Sequence, residues 1–146
     1  MLSLGMDIGT STVKLVLLRD GAMAKQWMAV HHGRPFACLK KGLSALELDA
    51  DTPFSLYVTG SNTEDLLEQA PDIPSFGDIP AVVEGVRQIV PQAGSVIEIG
   101  SQGARFITDL QSRAPQFAVN EHCAGGTGSF FEDQMSRVGC KLEDYS

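Results

Sequence analysis

Leu2, Leu4, Met6 and Ile8 alternate with other residues, Gly9-Thr10-Ser11-Thr12 interrupts, and Val13 to Leu18 resumes as an apolar, β-branched run. A period of two broken by glycine and hydroxyl residues fits a strand, a tight turn and a returning strand. The hairpin leaves Asp7 at the end of its first strand. Asp20-Gly21 is a further turn signal, so Ala22 to Val30 follows as a third antiparallel strand.

Pro35 stops that strand, and Phe36, Leu39, Leu43 and Leu46 recur at helical spacing. Ser55 to Thr59 reads as a short strand ending at Gly60. Ser61-x-x-Glu64 has capping-box spacing and predicts a helix through about Gln69. Pro71 to Pro80 reads as a surface loop. Ile79, Val82, Val83, Val86 and Ile89 form the apolar stripe of a next helix, with Pro91 and Gly94 just past its end. Ser95 to Gly100 and Arg105 to Leu110 read as a second hairpin, and Phe117 to Asn120 as one more strand. A Gly-rich stretch from His122 to Gly128 then leads into a last helix, Ser129 to Val138, stopped by Gly139. The tally predicts an α/β fold, with a mixed sheet and helices packed against it.

The size, 146 residues with 43% hydrophobic and 20% charged positions, fits one globular subdomain over residues 1–146. Eleven Lys and Arg against 18 Asp and Glu give a net charge of −7, which argues against a nucleic-acid partner. No apolar run reaches bilayer length, so no membrane association is expected. Cys38, Cys123 and Cys140 are odd in number and form no C-x-x-C pair. They suit a reducing cytoplasm better than a disulfide framework.

Three segments can carry chemistry. In Asp7-Ile8-Gly9-Thr10-Ser11-Thr12-Val13-Lys14, a tight turn after a buried strand aims backbone N–H groups at one point, which suits phosphate oxygens. Thr10, Ser11 and Thr12 add hydroxyls, and Asp7 can hold Mg²⁺ through water. The plain alternative is a hairpin whose glycine and hydroxyls serve only the turn. Glu98-Ile99-Gly100-Ser101-Gln102-Gly103 repeats the acid-x-Gly pattern at a strand end. Two such hairpins can face one metal-phosphate cluster; the alternative is a second turn with a solvated Glu. Cys123, before Gly125, Gly126 and Gly128 at a helix start, is placed where a thiolate is favoured. A lone Cys does not hold a metal cluster by itself, and an inert Cys at a helix cap is the alternative. The adjacent His31 and His32 point opposite ways on a strand end and make a poor chelate. Cys38 reads as a core residue.

Together these segments resemble the ATP-dependent activators of 2-hydroxyacyl-CoA dehydratases and the ATPase subunits of benzoyl-CoA reductase. That family has the ribonuclease H-like fold of actin and the sugar kinases. Its opening hairpin is similar to Met6 through Leu17, and its Asp-Ile-Gly-Gly-Gln-Asp segment to Glu98 through Gly103. Its cluster segment, Asn-Asp-Lys-Cys-Ala-Ala-Gly-Thr-Gly-Arg-Phe-Leu-Glu, is similar to Asn120 through Glu132 and supplies the most specific match. The resemblance implies a homodimer sharing one 4Fe-4S cluster, with ATP hydrolysis driving a low-potential electron into a dehydratase or reductase. Carried over, Cys123 is a cluster ligand and Asp7 organises Mg²⁺. Gly9, Thr10, Ser11, Thr12 and Lys14 hold phosphate with Gly100 and Ser101, while Glu98 and Gln102 border the γ-phosphate.

The departures are specific. The resemblance covers only the first half of a two-lobed fold, with the second lobe absent. The family's other cluster cysteine falls beyond Ser146. Gly103 stands where the family has a second acid, and Ala81 to Val86 keeps only the glycine of a Cys-His-containing segment. Two functions therefore remain in view: an activator-type ATPase and electron-transfer domain, or a degenerate, non-catalytic nucleotide-binding or interaction module. A small-molecule kinase of the same superfamily stands third, because no Asp is evident as its general base.

Overall fold

A computed structural model describes residues 1–48, 51–101, 103–120 and 134–139. The chain divides into two compact units, Met1–Ala81 and Val82–Ser146. In the first, β1 (Leu2–Ile8), β2 (Thr12–Arg19) and β3 (Ala22–Val30) form the expected meander, followed by α1 (Pro35–Ala45), β4 (Phe54–Thr59) and α2 (Glu64–Gln69). The sheet order is β3-β2-β1-β4, with β4 parallel to β1 and the other pairs antiparallel, so the sheet is mixed as predicted.

The alternation in β1 works because its apolar residues meet their counterparts directly. Leu4 stands opposite Leu17, Met6 opposite Leu15 and Ile8 opposite Val13, and all six are buried. Val58 of β4 extends that buried row beside Met6. Helix α1 closes the face with Cys38, Leu39 and Gly42 rather than with Phe36, which is 38% exposed. Gly42 is what allows the approach, since a Cβ there would come within 2.5 Å of the Trp27 ring and 2.7 Å of Leu15.

The start of α2 departs from the capping-box expectation. Its N-cap is Thr63, with no side-chain cap hydrogen bond. Gly60, at φ +110°, bends the chain so that Thr63 Oγ1 donates back to the Gly60 carbonyl and Ser61 Oγ lies 3.0 Å from Thr10 Oγ1. The expected 71–80 loop is shorter, because α3 already begins at Asp78, and residues 71–77 are tied to the outer edge of β4. Val58 donates to the Pro74 carbonyl and accepts from the Phe76 amide, and the Tyr57 and Phe76 rings lie 6.0 Å apart.

Helix α3 (Asp78–Ile89) leads into β5 (Ser95–Ile99), β6 (Ala104–Thr108) and β7 (Gln116–Val119), a second antiparallel meander with its own three-stranded sheet. Arg87 fixes α3 to the turn after β6, donating from Nε to the Leu110 carbonyl and from Nη2 to the Ser112 carbonyl, each at 2.6 Å. Ile107 and Leu110 are fully buried there, while Ile97, Ile99 and Phe106, on the other face, are exposed. Of the expected last helix only the final turn falls within the described residues, with Val138 donating to Gln134. No helix among the described residues is long and apolar enough to cross a membrane.

Two glycines should respond oppositely to alanine. At Gly60 a Cβ would lie 2.4 Å from the Ile8 carbonyl oxygen at a φ that L residues rarely adopt, so Gly60→Ala should cost at least about 1–3 kcal/mol. In α3, a Cβ at Gly85 would meet nothing within 4 Å, so Gly85→Ala should gain roughly 0.5–1 kcal/mol. Urea unfolding of the two variants measures both.

Candidate functional site

The first candidate segment folds into one turn at the β1–β2 connection. The Gly9 amide closes it onto the Thr12 carbonyl at 2.9 Å. Asp7 and Lys14 are direct cross-strand partners, and Lys14 Nζ donates to Asp7 Oδ2 at 2.6 Å. The other carboxylate oxygen, Oδ1, lies over Gly9, where a Cβ would come within 3.5 Å of it. Among the described residues, the amides of Thr10 and Ser11 donate to no acceptor. Two N–H groups, three hydroxyl side chains and an ammonium group thus gather at one exposed turn, an arrangement suited to an oxyanion.

The second unit repeats the device. The Gly100 amide donates to the Gly103 carbonyl at 2.7 Å. Glu98 and Arg105 are cross-strand partners, and Arg105 Nη1 donates to Glu98 Oε2 at 3.1 Å. A Cβ at Gly100 would meet Glu98 Oε1 at 3.3 Å. In both hairpins the acid and its base are seven residues apart. That acid-Ile-Gly spacing to a base is visible in the sequence and could have singled out Arg105, which the sequence reading passed over. Ser101 lies in this turn, whereas Gln102 and Cys123 fall outside the described residues. No group of three or more His, Cys, Asp and Glu suited to a metal occurs among the described residues.

Three residues outside the predicted set frame the first turn. The Gly9 carbonyl accepts from Asn62 Nδ2 at 2.7 Å and from His31 Nε2 at 3.2 Å. Asn62 also donates its main-chain amide to Ile8, and His31 its own to Ser11. Ser61 reaches Thr10. Topology brings them here: β1, β3 and β4 run in the same direction, so the segments following all three meet at one sheet edge. Ligands of α/β sheets commonly bind at such carboxyl-terminal strand ends. Local pattern could not flag His31 or Asn62, because neither belongs to the Gly-rich segment.

No protein-family model matches the chain. The activator of lactoyl-CoA dehydratase from Anaerotignum propionicum is 32% identical over 143 residues, which cover 94% of this chain and 54% of that protein. A benzoyl-CoA reductase subunit from Thauera aromatica is 26% identical over 146 residues, 96% of this chain and 52% of that protein. Among solved structures, the activator of 2-hydroxyisocaproyl-CoA dehydratase from Clostridium difficile, with bound ADPNP, superposes with a TM-score of 0.78 at 24% identity, covering 97% of this chain and 53% of that one. The likeness shows the fold to be that of the activator ATPases, the actin-like α/β class expected from the sequence. The chain spans about half the length of the curated relatives it matches.

The Asp7–Lys14 pair is too exposed to matter much to folding, with side chains 33% and 47% accessible. Asp7→Asn should therefore leave thermal unfolding within about 1 kcal/mol of the parent chain. A larger loss by calorimetry would make the carboxylate a structural group.

Proposed function

The chain is homologous to activators of 2-hydroxyacyl-CoA dehydratases and to a component of benzoyl-CoA reductase, and from that premise we propose that it is an activator-type, ATP-binding domain. What carries the reading is the Gly9–Thr12 turn, whose Thr10 and Ser11 amides are unpaired among the described residues beside Lys14. In this proposal those amides, the hydroxyls of Thr10, Ser11 and Thr12, and the Lys14 ammonium receive the phosphates of ATP. Asp7 organises Mg²⁺ through water, since Mg²⁺ keeps much of its hydration and takes few carboxylates. Gly100 and Ser101 are proposed, from the family resemblance, as further phosphate-binding residues, with Glu98 and Gln102 as those bordering the γ-phosphate. The ADPNP bound to a structural neighbour supports a nucleotide as the ligand.

The cluster half of the function rests on Cys123. A 4Fe-4S cluster usually takes four thiolates and, when bound, supplies one-electron, low-potential chemistry. This chain by itself does not provide that set. Cys38 is buried in the core, its sulfur against the Ala29 and Val30 carbonyls. Cys123 is proposed as one ligand of a cluster shared across a homodimer, each copy supplying its own Cys123, so that two of the usual four thiolates come from these residues. The partner would be a 2-hydroxyacyl-CoA dehydratase or a benzoyl-CoA reductase-type enzyme, in a reducing, cytoplasmic setting.

A second reading, a non-catalytic nucleotide-binding module, is favoured by Gly103. No acid stands at that end of the second turn, and Glu98 is already paired with Arg105.

Calorimetric titration with Mg-ATP should give an affinity on the order of micromolar, lost in Asp7→Asn. No binding by the parent chain would sink the nucleotide reading. Phosphate release from Mg-ATP by a longer protein containing this segment would select the ATPase over the non-catalytic module. A longer protein containing this segment, prepared anaerobically, should contain iron that falls on Cys123→Ser, and iron-free protein there would remove the cluster.

A further inference from the structure

We propose that His31 and Asn62 are positioning residues that aim the Thr10 amide, by holding the Gly9 carbonyl on the opposite side of the same peptide plane. A carbonyl oxygen has two lone pairs, and here both are used, by Asn62 Nδ2 and His31 Nε2. The peptide unit is planar and trans, so Gly9 C=O and Thr10 N–H point in opposite directions. Fixing the oxygen toward the segments after β3 and β4 therefore fixes the N–H away from them. Without those donors the Gly9–Thr10 peptide is free to flip, presenting a carbonyl where an oxyanion needs a donor.

Both residues are tied to the turn twice. The His31 amide donates to Ser11 and the Asn62 amide to Ile8, at 3.0 and 2.9 Å. The partners also fix the state of the His31 ring. A carbonyl only accepts, so Nε2 carries the proton; the Gly33 amide donates to Nδ1 at 3.1 Å, so Nδ1 carries the lone pair. His31 is thus a neutral Nε2–H imidazole, 8% exposed, acting through Gly9 rather than on a ligand. The consequence for affinity rests on the nucleotide reading above; the geometry of the turn does not.

The test uses this 146-residue chain, with three readouts. In the parent at about pH 8, where an ordinary imidazole is neutral, nitrogen NMR of the His31 ring should show the Nε2–H tautomer; the Nδ1–H form would overturn the proposal without any variant. In His31→Leu, Asn62→Leu and the double variant, exchange of the Gly9 amide should quicken by about tenfold or more while that of Leu15 stays unchanged. His31→Gln, which keeps a donor near Nε2, should restore the slow rate. Unchanged Gly9 exchange, or equal acceleration at Leu15, would overturn the proposal. Mg-ATP affinity should fall about three- to tenfold per lost donor, with His31→Gln near the parent. Unchanged affinity in a folded double variant would also overturn it. If the parent binds no nucleotide, the nucleotide reading fails, and Gly9 exchange still decides the brace.

Discussion

The register of β1 against β2 is the constraint on which the first unit depends. Because side chains alternate with a period of two, a one-residue slip would turn Leu4, Met6 and Ile8 out of the core together. The same slip would separate Asp7 from Lys14, which are opposite each other only in the observed register. The core and the candidate site are therefore set by one alignment. Burial of the Leu4–Leu17, Met6–Leu15 and Ile8–Val13 pairs supplies the energy that holds it.

The second unit applies the same arrangement in smaller form. Acid, isoleucine, glycine, a closing amide-to-carbonyl bond and a base across the strand pair recur around Glu98 and Arg105. The differences are informative. Gly103 replaces Thr12 as the residue whose carbonyl closes the turn, removing a hydroxyl. The first turn is braced from His31 and Asn62, which lie outside its own hairpin. Bracing of that kind matches a turn required to hold its amides in a fixed direction.

Much of the first unit is legible from local pattern. The strands β1 to β3, α1, β4 and the acid-Ile-Gly turn follow from periodicity and turn chemistry. The capping box does not form, because Ser61 and Glu64 have the right spacing, yet Gly60 at φ +110° turns Ser61 toward Thr10 instead. Phe36 fits the helical period without facing the sheet, since an apolar residue near a helix start can satisfy the spacing and still point outward. Gly42, the residue that does face it, has no side chain for a periodicity argument to register.

The sequence by itself determined the hairpins, the acid at the end of each first strand, and the base seven positions on, because these depend only on neighbours along the chain. Tertiary structure alone decided that His31, Ser61 and Asn62 converge on Gly9 and Thr10, from 22 to 53 residues away. The reason is directional. Parallel pairing of β4 with β1, and the two antiparallel steps from β1 to β3, bring three strand ends to one edge, and no local pattern encodes which strands will lie side by side.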